Sequence, residues 1–228
     1  MSEPSTTAPP AAAPPRLWPR LLAPMLLLLV IVAGLSFLLF KGSSRPVLPG
    51  GAQESGSGSG LLGTLTLPAR QAPAIDLRNY QGRPISLRQY RGRAVLVTFL
   101  YANCPDVCPL IASNLRVALN MLGSRASQAQ VIAVSVDPHG DTPAAVARFL
   151  HAHEMTGRMQ YLIGSGGELA RTWAAWSVGS KREVGQPNLV AHSALVYGIS
   201  ASGRLTTVYP ATFEPSEIAH DVPRLALR

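Results

Sequence analysis

Residues 94–109 read AVLVTFLYANCPDVCP, and this stretch decides the fold around which the rest of the chain is arranged. Its first part, Ala94–Tyr101, is almost entirely apolar and rich in β-branched and aromatic residues, which is typical of a strand buried on both faces of a sheet. A helix is predicted to follow from about Cys108 to Leu122 and to end at Gly123. The sequence therefore predicts a strand-to-helix junction whose connecting loop carries both cysteines of the chain.

The segments on either side of this junction alternate between strand and helix patterns. Strands are predicted at Leu62–Leu67, Ile75–Leu77, Pro84–Leu87, Gln130–Val136, Gln160–Ile163, Leu189–Tyr197 and Arg204–Tyr209, and helices from Asp141–Pro143 to about His153, over Gly167–Ala175 and over Pro215–Leu225. This order predicts an α/β domain with a mixed sheet flanked by helices on both faces, preceded by an N-terminal β-hairpin. A functional site is expected in the loops at the carboxyl ends of the parallel strands.

The first 60 residues differ from the rest in composition. The composition of residues 1–20, rich in proline and alanine, predicts a disordered tail. Leu21–Phe40 is a run of twenty residues without a charge, long enough to cross a bilayer as one helix. Because no small-residue cleavage site follows it, an uncleaved anchor is favoured over a signal peptide. Residues 41–60 predict a flexible Gly/Ser/Pro-rich linker, and the globular domain is expected at 61–228.

Composition and charge exclude several classes of protein. The chain has 228 residues and a formal net charge of +8, and five of its arginines fall between Arg78 and Arg93. A solvated basic face is favoured for that stretch, and an acidic partner or lipid headgroups stay open. No nucleic-acid-binding motif accompanies it, so nucleic-acid binding is not expected. Two cysteines are too few for a disulfide-dense scaffold, a four-cysteine zinc site or a four-cysteine iron–sulfur cluster.

The spacing of the two cysteines indicates a reactive or metal-binding site. Cys104 and Cys108 lie four residues apart at the start of the predicted helix, whose positive end favours thiolates. Three interpretations stay open: thiol–disulfide exchange, although its usual spacing is C-x-x-C; a site for a soft metal such as Cu(I); and a structural disulfide or inert buried thiols. Pro105 and Pro109 indicate a shaped loop and favour a functional site.

A third metal ligand is sought among the five histidines. His192 is predicted to begin a buried strand, Ala191–Tyr197, next to the cysteine-bearing strand, so its imidazole is a candidate, although a lone histidine there is more often structural. The other histidines are predicted to be solvated: His139, His151, His153 and His220.

Three motifs resemble one known family. Residues 97–109, VTFLYANCPDVCP, resemble the C-P-D-x-C-P signature of the Sco/SenC family of copper chaperones for cytochrome c oxidase assembly. Residues 133–143, AVSVDPHGDTP, resemble its S-V-D-P-x-x-D-T-P segment, and residues 192–205, HSALVYGISASGRL, its strand with a metal-binding histidine. The motifs occur in the family's order, and the resemblance covers about 61–228.

The resemblance implies a thioredoxin-like fold on a domain tethered outside the cytoplasmic membrane. It implies copper, as Cu(I) or Cu(II), bound by Cys104, Cys108 and His192, and a redox-active disulfide between the two cysteines. Asp141 is expected to be a turn or capping residue. The residues expected to shape loops or lie behind the ligands are Pro105, Asp106 and Asp137.

The function implied by the resemblance is that of a metallochaperone with no catalytic residue. Anchored in the cytoplasmic membrane by Leu21–Phe40, it would deliver copper to the binuclear copper site of a cytochrome c oxidase subunit, with reduction of that subunit's cysteines as a second role. Two alternatives stay open: an extracytoplasmic thiol–disulfide oxidoreductase, with Cys104 as nucleophile and Cys108 as resolving thiol, and a redox sensor. Many family members have an acidic residue where this chain has Ala191, so metal affinity and partner docking are expected to differ.

Overall fold

The part of the chain that a computed structural model describes, residues 60–183 and 186–228, is built on one mixed sheet. The strands are β1 (Leu65–Gln71), β2 (Asp76–Asn79), β3 (Pro84–Ser86), β4 (Ala94–Leu100), β5 (Ala129–Ser135), β6 (Met159–Ile163), β7 (Ser180–Glu183), β8 (Gln186–His192), β9 (Leu195–Ile199) and β10 (Arg204–Pro210). The α-helices are α1 (Val107–Leu122), α2 (Pro143–Ala152), α3 (Gly166–Ala175) and α4 (Pro215–Ala226). The sheet has the order β1-β10-β9-β4-β5-β6-β2-β3, and β7 and β8 form a separate ribbon.

β4 lies at the centre of the sheet, as its sequence predicts. All seven of its residues are buried, and it pairs in parallel with β5 and antiparallel with β9. Since β6 is also parallel to β5, the carboxyl ends of three strands lie at one edge. The loop after β4, which carries the cysteines, therefore lies beside the loop after β5.

Helices cover both faces of the sheet, which confirms the predicted mixed α/β architecture. On one face, Leu225 of α4 packs over Gly198 of β9, where an added Cβ would lie 3.3 Å from the leucine. On the other face, Trp176 at the end of α3 contacts the rings of Phe99 and Tyr197, with centroids 5.9 and 5.2 Å away. Gly198 and Tyr197 are adjacent along β9, so they point to opposite faces.

Two strand predictions are wrong in detail. The first strand begins at Leu65, not at Leu62. The predicted strand Leu189–Tyr197 breaks at Ser193 and Ala194 into β8 and β9, because β8 pairs with β7 whereas β9 pairs with β4. Two polar residues, His192 and Ser193, stand within this run, but they do not by themselves indicate a change of strand partner. β2 and β3 are antiparallel and, because β2 also pairs with β6, they lie at an edge of the main sheet.

The predictions for the tail, for the membrane span Leu21–Phe40 and for most of the linker concern residues 1–59, which lie outside the described residues. Within 60–183 and 186–228, no helix combines the length and the apolar character that a bilayer crossing requires.

A buried carboxylate fixes the segment that precedes β1. Asp221, in the middle of α4, is 0% exposed and accepts hydrogen bonds from the backbone N–H groups of Leu62 (2.9 Å) and Gly63 (3.1 Å). The hydroxyl of Tyr209 donates to it as well (2.7 Å), and Nδ1 of His220 lies 2.7 Å from it. Glycine at position 63 permits this approach, because a Cβ there would lie 1.9 Å from a side-chain oxygen of β10. The chain therefore enters the domain at a defined point.

We expect Asp221→Asn to lower the free energy of unfolding by about 2–4 kcal/mol, because the amide cannot accept from all of these buried donors. Urea unfolding followed by circular dichroism measures the loss. The control is Asp76→Asn at an exposed position of β2, which should change stability by less than about 0.5 kcal/mol. Equal stability of the two variants would contradict this role of Asp221.

Candidate metal centre

The two cysteines lie side by side where β4 leads into α1. Cys104, in the connecting loop, and Cys108, in the first turn of α1, are 7% and 0% exposed, and both are free thiols. The backbone N–H of Cys108 donates to Sγ of Cys104 (3.5 Å), and the backbone N–H of Cys104 donates to the carbonyl of Tyr101 (3.2 Å). The N-terminus of α1 is thus directed at the sulfur of Cys104, which favours its thiolate.

The two thiols differ in how tightly they hold their protons. The thiol of Cys108 and, against the opposing effect of burial, backbone N–H groups such as that of Asp106 lower the pKa of Cys104 to about 5. The same hydrogen bond between the thiols, together with burial, raises the pKa of Cys108 far above its usual value. At neutral pH the pair therefore carries one negative charge, on Cys104, and one proton, on Cys108.

His192 lies beside the cysteine pair, as predicted, but on a different strand from the predicted one. It is the last residue of β8, not the start of a strand beside β4, and its Nε2 lies 3.6 Å from Sγ of Cys108. Its partner in β7, Ser180, donates its hydroxyl to the carbonyl of Val136 (3.0 Å), which attaches the ribbon to the end of β5. Burial lowers the pKa of His192, so the imidazole is neutral at pH 7. Its Nδ1 lies beside the Ser193 backbone without a well-formed hydrogen bond to any described residue.

Tyr101, the residue after β4, contacts both Cys104 and His192. Its hydroxyl lies near the sulfur of Cys104 and the backbone of Val190 on β8, and burial together with the thiol contact raises its pKa to about 12. Its ring meets the imidazole edge-on, with 5.8 Å between centroids. Sequence reasoning missed this residue, whose only signal is its position at the end of the buried apolar run.

A second buried carboxylate supports the cysteine loop. Asp141, in the loop after β5, is 4% exposed and accepts hydrogen bonds from the backbone N–H of Ala102 (2.7 Å) and the hydroxyl of Tyr161 (2.9 Å). Burial raises its pKa to about 6. Asp141 agrees with its predicted turn role, because its N–H donates to the carbonyl of Asp137 in the turn after β5 (3.0 Å). It does not cap α2, because the cap is the hydroxyl of Thr142, which accepts from the N–H of Ala145 (3.2 Å).

Other predicted residues lie around an open cleft of about 380 Å³. The cleft is lined by Tyr101, Cys104, Pro105, Asp106, Val107, Val190, Ala191 and His192. Asp106 directly precedes α1, but its side chain caps none of the described N–H groups of the helix. Asp137 is not among the residues that line this cleft; it is 4% exposed and accepts the N–H of His139 within the turn after β5 (3.3 Å).

The remaining histidines are only partly as predicted. His139 and His151 are exposed. His153 is half-buried against Phe149, with ring centroids 4.6 Å apart, and burial lowers its pKa. His220 is half-buried beside the carboxylate of Asp221. These last two histidines are therefore only partly exposed, less than a fully solvated side chain would be.

The donor atoms fit a soft metal ion. Two ligands that bind one ion at about 2.0–2.3 Å, as thiolate and imidazole bind zinc, lie about 3.7 Å apart when the angle is trigonal. The observed distance between Sγ of Cys108 and Nε2 of His192 is 3.6 Å. In the described part of the chain, no three metal-binding side chains already form a metal-sized cluster. Binding of an ion here would therefore require the thiols and the imidazole to close around it and Cys108 to lose its proton.

The fold and the site together define a class: a thioredoxin-like domain that presents a Cys-x3-Cys pair and a histidine at the carboxyl edge of its sheet. The family model described as SCO1/SenC matches residues 65–227. The chain therefore belongs to the SCO1/SenC family, which confirms the resemblance of its three motifs.

Individual relatives agree with this assignment. Protein SCO2 homolog, mitochondrial, of Bos taurus is 28% identical over 153 residues, which cover 65% of this chain and 57% of that protein. Protein SenC of Rhodobacter capsulatus is 29% identical over 129 residues, which cover 56% of this chain and 58% of that protein. The chain thus matches a little over half the length of these curated relatives.

Solved structures resemble the described domain as a whole. The copper-bound ScoI of Bradyrhizobium japonicum superimposes with a TM-score of 0.62 at 26% identity, covering 68% of this chain and 99% of that one. The apo Sco1 protein of Thermus thermophilus gives a TM-score of 0.61 at 28% identity, covering 76% of this chain and all (100%) of that one.

We expect Cys104 to be alkylated by iodoacetamide at a nearly constant rate from about pH 6 to about pH 8, because it is already ionised, whereas an ordinary thiol gains about tenfold per unit. Mass spectrometry of the modified peptides measures the rate, with Cys108 as the slow internal reference. Cys108→Ser keeps a hydroxyl donor and should preserve the flat profile, whereas Cys108→Ala removes the donor and should restore pH dependence. A wild-type rate that follows a pKa of about 8–9 would contradict this assignment.

The buried carboxylate of Asp141 should make stability depend on pH. Its folded-state pKa of about 6 exceeds the unfolded value of about 3.9, so its contribution is fully favourable below about pH 4 and is lost as the pH rises through about 6. Relative to Asp141→Asn, the wild type should lose about 1–3 kcal/mol between about pH 4 and about pH 7 in urea unfolding. Tyr161→Phe keeps the carboxylate and should keep the dependence. Parallel pH profiles for wild type and Asp141→Asn would exclude this account.

Proposed function

We propose that this chain is a copper metallochaperone that binds its cargo through Cys104, Cys108 and His192. The observation that carries the proposal is the 3.6 Å separation of Sγ of Cys108 from Nε2 of His192, beside a second sulfur that is ionised at neutral pH. Thiolates select Cu(I), and an added imidazole allows Cu(II) to be bound as well. The copper-bound ScoI of Bradyrhizobium japonicum, with the same fold, supports the choice of metal.

The groups of the protein prepare the site for a cation. His192 keeps the lone pair of Nε2 free because its imidazole is neutral, Cys104 supplies a negative charge, and Cys108 releases its proton when the ion binds. Oxidation to a Cys104–Cys108 disulfide removes both thiolates and so prevents binding. Copper loading and the redox-active disulfide are therefore two alternative states of one cysteine pair.

We further infer that the recipient is the copper-accepting subunit of cytochrome c oxidase and that Leu21–Phe40 anchors the domain outside the cytoplasmic membrane. Membership of the SCO1/SenC family supports the recipient. The cleft is open, and Pro105 and Ala191 on its rim are exposed, so a partner's ligands can reach the metal and exchange with those of this chain. The neutral Ala191 makes the rim less acidic than in family members that have a carboxylate there.

The unequal proton affinities of the two thiols also favour a second function, thiol–disulfide exchange. The thiolate of Cys104 attacks a partner's disulfide and forms a mixed disulfide, releasing one partner thiolate. Cys108 then loses its proton and attacks the sulfur of Cys104, which releases the second partner thiolate. Two electrons pass to the partner, and the cysteine pair ends as a disulfide. His192 has no step in this sequence, so its substitution separates the two functions.

We expect reduced protein to bind one equivalent of Cu(I) in competition with a chromogenic chelator under anaerobic conditions. His192→Ala should weaken binding by at least about tenfold, and Cys104→Ser by more, because each removes a ligand. His139→Ala, at an exposed histidine in the turn after β5, is the matched control and should leave the affinity unchanged. Binding no tighter than that of a small dithiol, and indifferent to His192, would exclude the copper site and leave disulfide exchange or redox sensing.

A further inference from the structure

Four arginines surround one turn at the end of the sheet opposite the cysteine site. The turn is Ser200–Gly203, between β9 and β10. Since Val95 at the start of β4 pairs with Ile199, this turn lies at the amino end of β4, whereas the cysteine loop follows its carboxyl end. We call the group the arginine surface. Its members are Arg88, Arg91, Arg93 and Arg204.

Specific contacts hold the arginine surface together. The guanidinium of Arg91 lies over Gly203, where an added Cβ would be 2.3 Å from Cζ, and the neighbouring Gly92 donates its N–H to the carbonyl of Ala201 (3.0 Å). Arg93 lies over the ring of Tyr90, with 5.9 Å between Cζ and the ring centroid.

Arg88 belongs to the same surface because it lines, together with Arg91 and Gly203, a cavity of about 230 Å³. The floor of this cavity is apolar and includes Ile75 and Leu87. Arg204 directly follows the turn as the first residue of β10. One patch of surface thus combines guanidinium groups with apolar and aromatic contacts.

No aspartate or glutamate side chain of the described residues compensates the positive charge of this surface. The terminal residue Arg228 approaches the same turn, where its backbone oxygen accepts a hydrogen bond from the N–H of Ser202 (3.0 Å). Arg88, Arg91 and Arg204 are exposed, and none of the four forms a salt bridge within the described ranges 60–183 and 186–228. Arg93 and Arg204 donate instead to the backbone carbonyls of Ala129 and Ala69, which leaves their full charge in place.

We propose that the arginine surface docks on anionic phospholipid headgroups. Each basic side chain near an anionic bilayer is attracted to its negative surface potential, and Tyr90 among the arginines suits the interface between headgroups and acyl chains. The proposal rests on the anchor expected from Leu21–Phe40 but not on the copper site. The linker expected at residues 41–60, about 20 residues long, would span about 25 Å as a flexible chain. This exceeds the domain's radius of gyration of about 15 Å, so the surface could reach the membrane. An acidic protein partner is the alternative that the experiment tests.

The test uses the full chain reconstituted into vesicles of phosphatidylcholine alone or with about 30% phosphatidylglycerol. Phenylglyoxal modifies accessible guanidinium groups, and mass spectrometry gives the rate at each arginine. With phosphatidylglycerol, modification of Arg88, Arg91 and Arg204 should fall at least about threefold relative to the exposed Arg125 and Arg148, and high salt should abolish the difference.

A charge-matched pair of variants gives a second readout. Arg88→Gln with Arg91→Gln should remove the protection that phosphatidylglycerol confers on Arg204, whereas Arg125→Gln with Arg148→Gln should leave it unchanged. Equal modification in the two lipid mixtures, equal protection in both double variants, or a chain that fails to associate with anionic vesicles would each overturn the proposal. Protection by a soluble polyglutamate peptide but not by phosphatidylglycerol would assign the surface to an acidic protein instead.

Discussion

The parallel pairing of β4 with β5 is the constraint on which the candidate site depends. It continues one residue beyond the strands, where the N–H of Val136 donates to the carbonyl of Leu100 (2.9 Å), so both following loops start from fixed points at one edge. Asp141 then joins the loops by accepting the N–H of Ala102 at 2.7 Å. The position of the cysteines therefore depends on the pairing of β4 with β5 and on the contact between the two loops, as well as on the sequence of the cysteine loop itself.

The electrostatics of the site follow from burial at this edge. The carboxylate of Asp141 is one of the influences that raise the pKa of Cys108, after the hydrogen bond to Cys104 and burial. A second negative charge on the cysteine pair is therefore unfavourable in the metal-free protein, and Cys108 keeps its proton. A bound cation would reverse this balance, because it would compensate the thiolates and take the place of the proton. The arrangement that keeps one thiol protonated would thus make proton release part of metal binding.

The sequence predicts where the strands and helices lie better than it predicts which strands pair with each other. The buried run at β4, the cysteine spacing and the Gly123 helix end are local signals, and the structure agrees with each of them. The break at Ser193 and Ala194 is not local, because it arises where β8 and β9 pair with different strands. Tyr101 and Asp141 act through contacts to residues distant in the chain, and the side-chain types alone do not disclose them.

Two buried carboxylates position different segments of the domain. Asp141 fixes the cysteine loop at the carboxyl edge of the sheet, and Asp221 fixes the residues that precede β1. Asp221 holds residues 62 and 63 against β10 and α4, so the chain enters the domain at a fixed point. β1 then pairs along β10 and ends at the arginine surface, where Gln71 lies opposite Arg204. A flexible linker limits the distance of a domain from its anchor but leaves its orientation free. Docking of the arginine surface on a bilayer, as proposed, would restrict that freedom and would leave the cysteine site at the opposite end of the sheet.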